Sequence, residues 1–121
     1  MMSLKEIYSK GLCPVCGYEM IDREGVYPWG KDCDSQSDEI CPCCDIQFGH
    51  QDLTLEYLWK GDDMKKRLSI YDKWRNDWIK NGMKYKHFDD EFYPQPPNWD
   101  PIKQLKNIGI EMDQNRKIKE D

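Results

Sequence analysis

Cys13-Pro14-Val15-Cys16-Gly17 and Cys41-Pro42-Cys43-Cys44-Asp45 are two turns of one design. Each is a C-x-x-C with proline at its second position, where the ring pre-sets φ. Each is followed by a residue suited to a left-handed backbone, glycine in the first turn and aspartate in the second. A tight turn aims its first and fourth residues at a common point. Zinc takes four tetrahedral thiolates at about 2.3 Å, so two such turns in one short chain read as a single four-cysteine site. The ligands are then Cys13, Cys16, Cys41 and Cys44, with zinc as a structural cofactor. Two disulfides, a redox dithiol or free buried thiols are the competing readings, and a second proline-containing pair favours zinc over them. The loop between the pairs, Gly17 to Ile40, has 24 residues. Zinc ribbons usually span roughly 15–20 there, so an insertion is expected rather than a different design.

Two cysteines remain. Cys43 lies inside the second turn and points away from the ion in this register, as Val15 does in the first. Cys33 sits among Asp32, Asp34 and Asp38, whose carboxylates disfavour its thiolate, and has no partner at ligand spacing.

The rest of the composition fits a metal-stapled fold. The chain has 121 residues, of which 38% are hydrophobic and 34% charged. That is a lean core, and a structural zinc contributes roughly 10–16 kcal/mol of apparent binding free energy to folding. No apolar run resembles a signal peptide or approaches membrane-spanning length, which points to a soluble protein of the reducing cytoplasm. The formal net charge is −5, and four thiolates on a divalent ion leave about two further negative charges. That balance argues against nucleic acid as the main partner.

Outward from the turns, Ser3-Leu4-Lys5-Glu6 has the spacing of a capping box for a short helix over Leu4, Ile7 and Tyr8, ended near Gly11. Tyr18 to Ile21 reads as a short strand leaving the first turn. Ser37 to Ile40 reads as its antiparallel partner, with Asp45 to Gly49 leaving the second turn as another strand and Val26 to Trp29 as an extra one. The expected class is small α+β. Residues 1–50 form a zinc-ribbon-like knuckle pair, and 51–121 form a helical extension and tail packed on it as one compact unit. Within that extension Asp52 caps a helix carrying Leu55, Leu58 and Trp59. Asp62 or Asp63 caps the longest helix, whose apolar stripe is Met64, Leu68, Tyr71, Trp74, Trp78 and Ile79. Tyr93-Pro94-Gln95-Pro96-Pro97-Asn98-Trp99 is extended because each proline excludes helix before it. Trp99 pins that segment to the body. Asp100-Pro101 starts a last helix with Ile102, Leu105 and Ile108 inward, and beyond Ile110 fraying is expected.

Several of these phrases resemble one family. Ile40-Cys41-Pro42-Cys43-Cys44, the Phe48-Gly49 after it, Trp74-Arg75-Asn76-Asp77-Trp78-Ile79-Lys80-Asn81-Gly82, and Pro97-Asn98-Trp99 with Gln104-Leu105 are similar to small bacterial proteins of the cysteine-rich CPCC family. The resemblance runs from Cys13 to Ile108 and is most specific at the two turns. It implies zinc held by Cys13, Cys16, Cys41 and Cys44, and it implies no biochemical activity. Asp45, the long insertion and Cys33 depart from the pattern in the loops.

Three functions compete on these residues. A structural-zinc protein would act by binding another protein, with the aromatics from Tyr85 to Trp99 (Tyr85, His87, Phe88, Phe92, Tyr93) offering a contact surface. A nucleic-acid-binding ribbon is the alternative, but its basic residues between Lys60 and Lys86 face an acidic zone between Lys31 and Gln51. A metalloenzyme needs an open zinc position, which four thiolates do not leave. His50 and His87 have no partner pattern for catalysis, so no catalytic residue is assigned.

Overall fold

The computed structural model describes residues 2–30, 37–52, 63–86, 95–113 and 117–118. Its helices are α1 (Leu4–Ser9), α2 (Met20–Glu24), α3 (Asp63–Lys80) and α4 (Pro101–Leu105), the last running into a 3-10 turn, Lys106–Ile108. Their common core is the knuckle pair itself. Cys13, Cys16, Cys41, Cys43 and Cys44 are all buried, surrounded by Ile7, Tyr8, Tyr18, Trp29, Ile46, Phe48, Tyr71, Leu105 and Ile108.

The antiparallel ribbon is overturned. Among the described residues there is no strand, only the isolated bridges Ile40–Gln47 and Met112–Ile118. The cause is local. The residues after Tyr18 are good helix formers ending in glycine, Met20-Ile21-Asp22-Arg23-Glu24-Gly25, and they wind into α2. Glu19 and Arg23 face each other one turn apart at 3.9 Å, and Gly25 closes the helix at φ 71°. The partner expected for Ser37 to Ile40 therefore never forms, and Ile40 bridges to Gln47 within its own knuckle. Val26 to Trp29 is likewise a turn that buries Trp29.

The helical expectations fare better. Ser3 caps α1 by accepting from Glu6 N at 3.2 Å, and Leu4, Ile7 and Tyr8 point inward. The chain then reverses at Gly11, φ 68°, where a Cβ would lie 2.4 Å from the Ile21 side chain. Asp100 caps α4 through Ile102 N and Lys103 N. Met2 N reaches Ile108 O at 3.0 Å, which ties the start of the chain to the 3-10 turn after α4.

α3 buries Tyr71 and Trp78 of its expected apolar stripe and packs Trp74 and Ile79 against the core, and it adds two residues which that stripe did not include. Its buried positions are Arg67, Tyr71, Arg75 and Trp78, while Leu68, Trp74 and Ile79 are half-buried. The steps of four, four and three form a single helical stripe in which two arginines occupy core places. The side chain of Met64, the helix expected over Leu55, Leu58 and Trp59, and Cys33 lie outside the described residues. Asp52 is buried. Its carboxylate accepts from Gly49 N at 2.7 Å, Trp29 Nε1 at 2.7 Å and Tyr71 Oη at 2.6 Å. Arg67 lies over the Trp29 ring, 3.6 Å from its centroid, so a cation and a carboxylate share this end of the core.

Candidate metal centre

The two knuckles superimpose in their hydrogen bonding. Cys13 N donates to Tyr18 O at 2.9 Å, and Gly17 N returns to Cys13 O at 2.9 Å. Cys41 N donates to Ile46 O at 2.8 Å, and Asp45 N returns to Cys41 O at 2.8 Å. Gly17 has φ 82° and Asp45 φ 73°, the left-handed pair anticipated from sequence. Glycine is required in the first knuckle for a second reason. A Cβ there would sit 2.3 Å from the Gln104 carbonyl oxygen, where the tail packs against it.

This geometry brings Cys13, Cys16, Cys41 and Cys44 together, their sulfurs all within 4.8 Å of one another. Cys13 Sγ is 3.7 Å from Cys44 Sγ, and Cys16 Sγ is 3.7 Å from Cys41 Sγ. A tetrahedron with metal–sulfur bonds of about 2.3 Å has edges of about 3.8 Å. Two edges of the quartet thus match a tetrahedral site and the others lie within 4.8 Å, so the four thiols could hold one metal ion. The same distances exclude a disulfide, whose sulfurs are about 2.05 Å apart, and the five described cysteines are all free. Burial disfavours a thiolate at every one of the four positions. It holds Cys16 and Cys44 well above the ordinary thiol range and Cys41 up to about 11. At Cys13 burial is outweighed by hydrogen bonds from Cys16, Cys41 and Cys44, and the thiol falls well below that range.

Side chains from distant segments hold the knuckles by their carbonyls. Arg75, itself 3% exposed, donates from Nε to Val15 O at 2.7 Å and from a terminal nitrogen to Pro14 O at 2.6 Å. Gln104 Nε2 donates to Cys16 O at 3.0 Å and Asn107 Nδ2 to Gly17 O at 3.0 Å. On the second knuckle Trp74 Nε1 donates to Cys44 O at 2.8 Å and Lys86 N to Cys43 O at 2.9 Å. These four side chains and the Lys86 backbone amide do the work that ribbon strands would have done. Sequence reasoning missed them as site residues. Arg75 had one available signal: an arginine spaced four residues from Tyr71 and three from Trp78 belongs to the buried stripe.

Cys43 is fully buried outside the quartet, and Gln104 Nε2 lies 3.3 Å from its sulfur. His50 is exposed and meets Asp38 at 3.0 Å, away from the sulfurs' shell of ligands. The aromatic surface foreseen between Tyr85 and Trp99 is largely internal where described. Tyr85 is buried, its hydroxyl meets that of Tyr18, and its ring takes Trp99 edge-on at 5.5 Å between centroids. His87, Phe88, Phe92 and Tyr93 lie outside the described residues. Beside the second knuckle an open cleft of about 180 Å³ is lined by Cys44, Asp45, Trp74, Asp77, Trp78, Asn81 and Lys86. Among the described residues no helix is long and apolar enough to cross a membrane.

No family model matches the chain, and no solved structure resembles it closely enough to count as a match. An uncharacterized protein of Bacillus subtilis (strain 168), YoaQ, is 27% identical over 81 residues, which is 64% of this chain and 64% of that protein. The match thus spans just under two thirds of that relative's length.

Proposed function

We propose that this is a bacterial, cytoplasmic zinc protein of the CPCC type. Its Cys13, Cys16, Cys41 and Cys44 centre is structural, and it acts by contact with another protein. The observation that carries the metal reading is the quartet: four buried sulfurs within 4.8 Å of one another, two of whose edges, at 3.7 Å, match those of a zinc tetrathiolate. A structural role follows from the ligand set, since four thiolates complete the coordination and leave no site for a reacting water. It follows also from the placement of the quartet in the middle of the core, where the metal joins α3 and the tail to the N-terminal half. Net charge of −5 speaks against a phosphate backbone as partner, and the cleft beside Cys44 offers a place for a polypeptide side chain.

The test is metal analysis of protein purified without added zinc. Close to one zinc per chain is expected, with a marked fall in thermal stability on chelation. Protein that holds no metal and keeps its melting temperature with chelator would refute the reading.

A further inference from the structure

The sequence Cys41-Pro42-Cys43-Cys44 offers a metal two registers, one through Cys41 and Cys44 and one that substitutes Cys43 for Cys44. Cys43 is not a remote thiol. It is fully buried and adjacent to Cys44 in the chain. What distinguishes it from the quartet is Gln104. That amide makes three hydrogen bonds. Its oxygen accepts from Trp99 Nε1 at 2.8 Å, and its nitrogen donates to Cys16 O at 3.0 Å and to Cys43 Sγ at 3.3 Å. The amide cannot flip, because the flipped form sets oxygen against the Cys16 carbonyl and NH₂ against the Trp99 N–H. The donor is therefore held on the Cys43 sulfur by a tryptophan five residues away.

We propose that Gln104 is a positioning residue that fixes the ligand register, holding the Cys43 sulfur off the metal so that Cys44 completes the site. The inference rests on the four-cysteine metal reading above and deepens it. Gln104 touches one ligand only through its carbonyl and the competing thiol directly, so its role is selection rather than binding.

Cadmium is the probe, since its NMR signal reports the thiolates around each bound ion. One ¹¹³Cd resonance is expected for the native chain. Gln104→Met keeps the length of the side chain and removes both donors, and it should give a second resonance or exchange broadening as Cys43 competes. Adding Cys43→Ser to Gln104→Met should restore the single signal, which a merely structural role for Gln104 would not produce. In a Cys44→Ser background, Gln104→Met should raise cadmium affinity by roughly 10–100-fold, the range over which residues behind a ligand tune a metal site. A single unbroadened resonance in Gln104→Met overturns the register lock and leaves the metal reading intact, as does loss of cadmium in that variant. A native chain that binds no cadmium and no zinc overturns both.

Discussion

Replacing Arg75 with methionine removes three donors from the centre of the molecule while leaving a side chain of similar length. Two of them serve the carbonyls of Pro14 and Val15, the residues between the first pair of thiols. The third meets Asp72 at 2.8 Å, but that carboxylate is 53% exposed, so the ion pair contributes little after solvent screening. The weight falls on the carbonyls. A buried acceptor stripped of its partner costs about 1–3 kcal/mol, more when the donor was charged. Two together come to about 4 kcal/mol. At about 4 °C per kcal/mol for a domain of this size, the melting temperature should drop by about 16 °C. Arg75→Lys retains the charge but reaches at most one of the two oxygens, so it should lose about half as much. Asp72→Asn should cost less than about 0.5 kcal/mol. Denaturant unfolding measures all three, at one fixed metal concentration, because any ligand of the native state alone shifts the midpoint. A methionine variant within 1 kcal/mol of the native protein, or an Asp72 variant as damaging as the Arg75 one, would refute the carbonyl clamp.

Other substitutions follow the same geometry. Trp78, 2% exposed with its Nε1 donating to Lys84 O, should cost about 3–5 kcal/mol on truncation to alanine, read by the same unfolding assay. Gly25 and Gly17 both have positive φ, but nothing lies within 4 Å of a Cβ at Gly25. Gly25→Ala should therefore cost only the left-handed penalty of about 1–2 kcal/mol. Gly17→Ala should cost clearly more and loosen α4, visible as increased hydrogen exchange at Ile102 to Leu105. Burial raises the hydroxyls of Tyr8, Tyr18 and Tyr71, and pushes Tyr85 up to about 12. The unfolded chain releases these protons near pH 10 and the native fold keeps them, so stability should fall as pH rises above about 10. Absorbance at 295 nm should show these tyrosines ionising together with unfolding rather than before it.

What could be read from sequence was what is written locally. Cys13, Cys16, Cys41 and Cys44 were legible because ligand spacing is a short-range signal. So was the left-handed place of Asp45, since it repeats that of Gly17. The caps at Ser3 and Asp100 and the C-terminal end of α3 rest on residues within one turn of each other. The strands failed for a related reason. Four residues such as Tyr18 to Ile21 are too few to separate a strand from the first turn of a helix, and Gly25 decided in favour of α2. Arg67 and Arg75 were missed as core residues because charge normally marks the outer face, although Arg75 shares the helical spacing of Tyr71 and Trp78. Their burial is explained only by partners elsewhere: the Trp29 ring for Arg67 and the Pro14 and Val15 carbonyls for Arg75. Trp99, by contrast, was expected to anchor the tail and does so through Tyr85 and Gln104.

The carbonyl clamp has a consequence for how the molecule is made. Synthesis proceeds from Cys13 toward Asn107, and Asn107 lies 90 residues beyond the Gly17 carbonyl it caps. A ribosome that has released all four thiols has yet to release Arg75, Gln104 and Asn107. During that interval the knuckle carbonyls have only water for partners, and the thiols form a loose, exchangeable set. Arrival of the last helix turns that set into a core. Closure over such a sequence distance is intrinsically slow, so the two knuckles wait on the tail for the donors that fix their backbone.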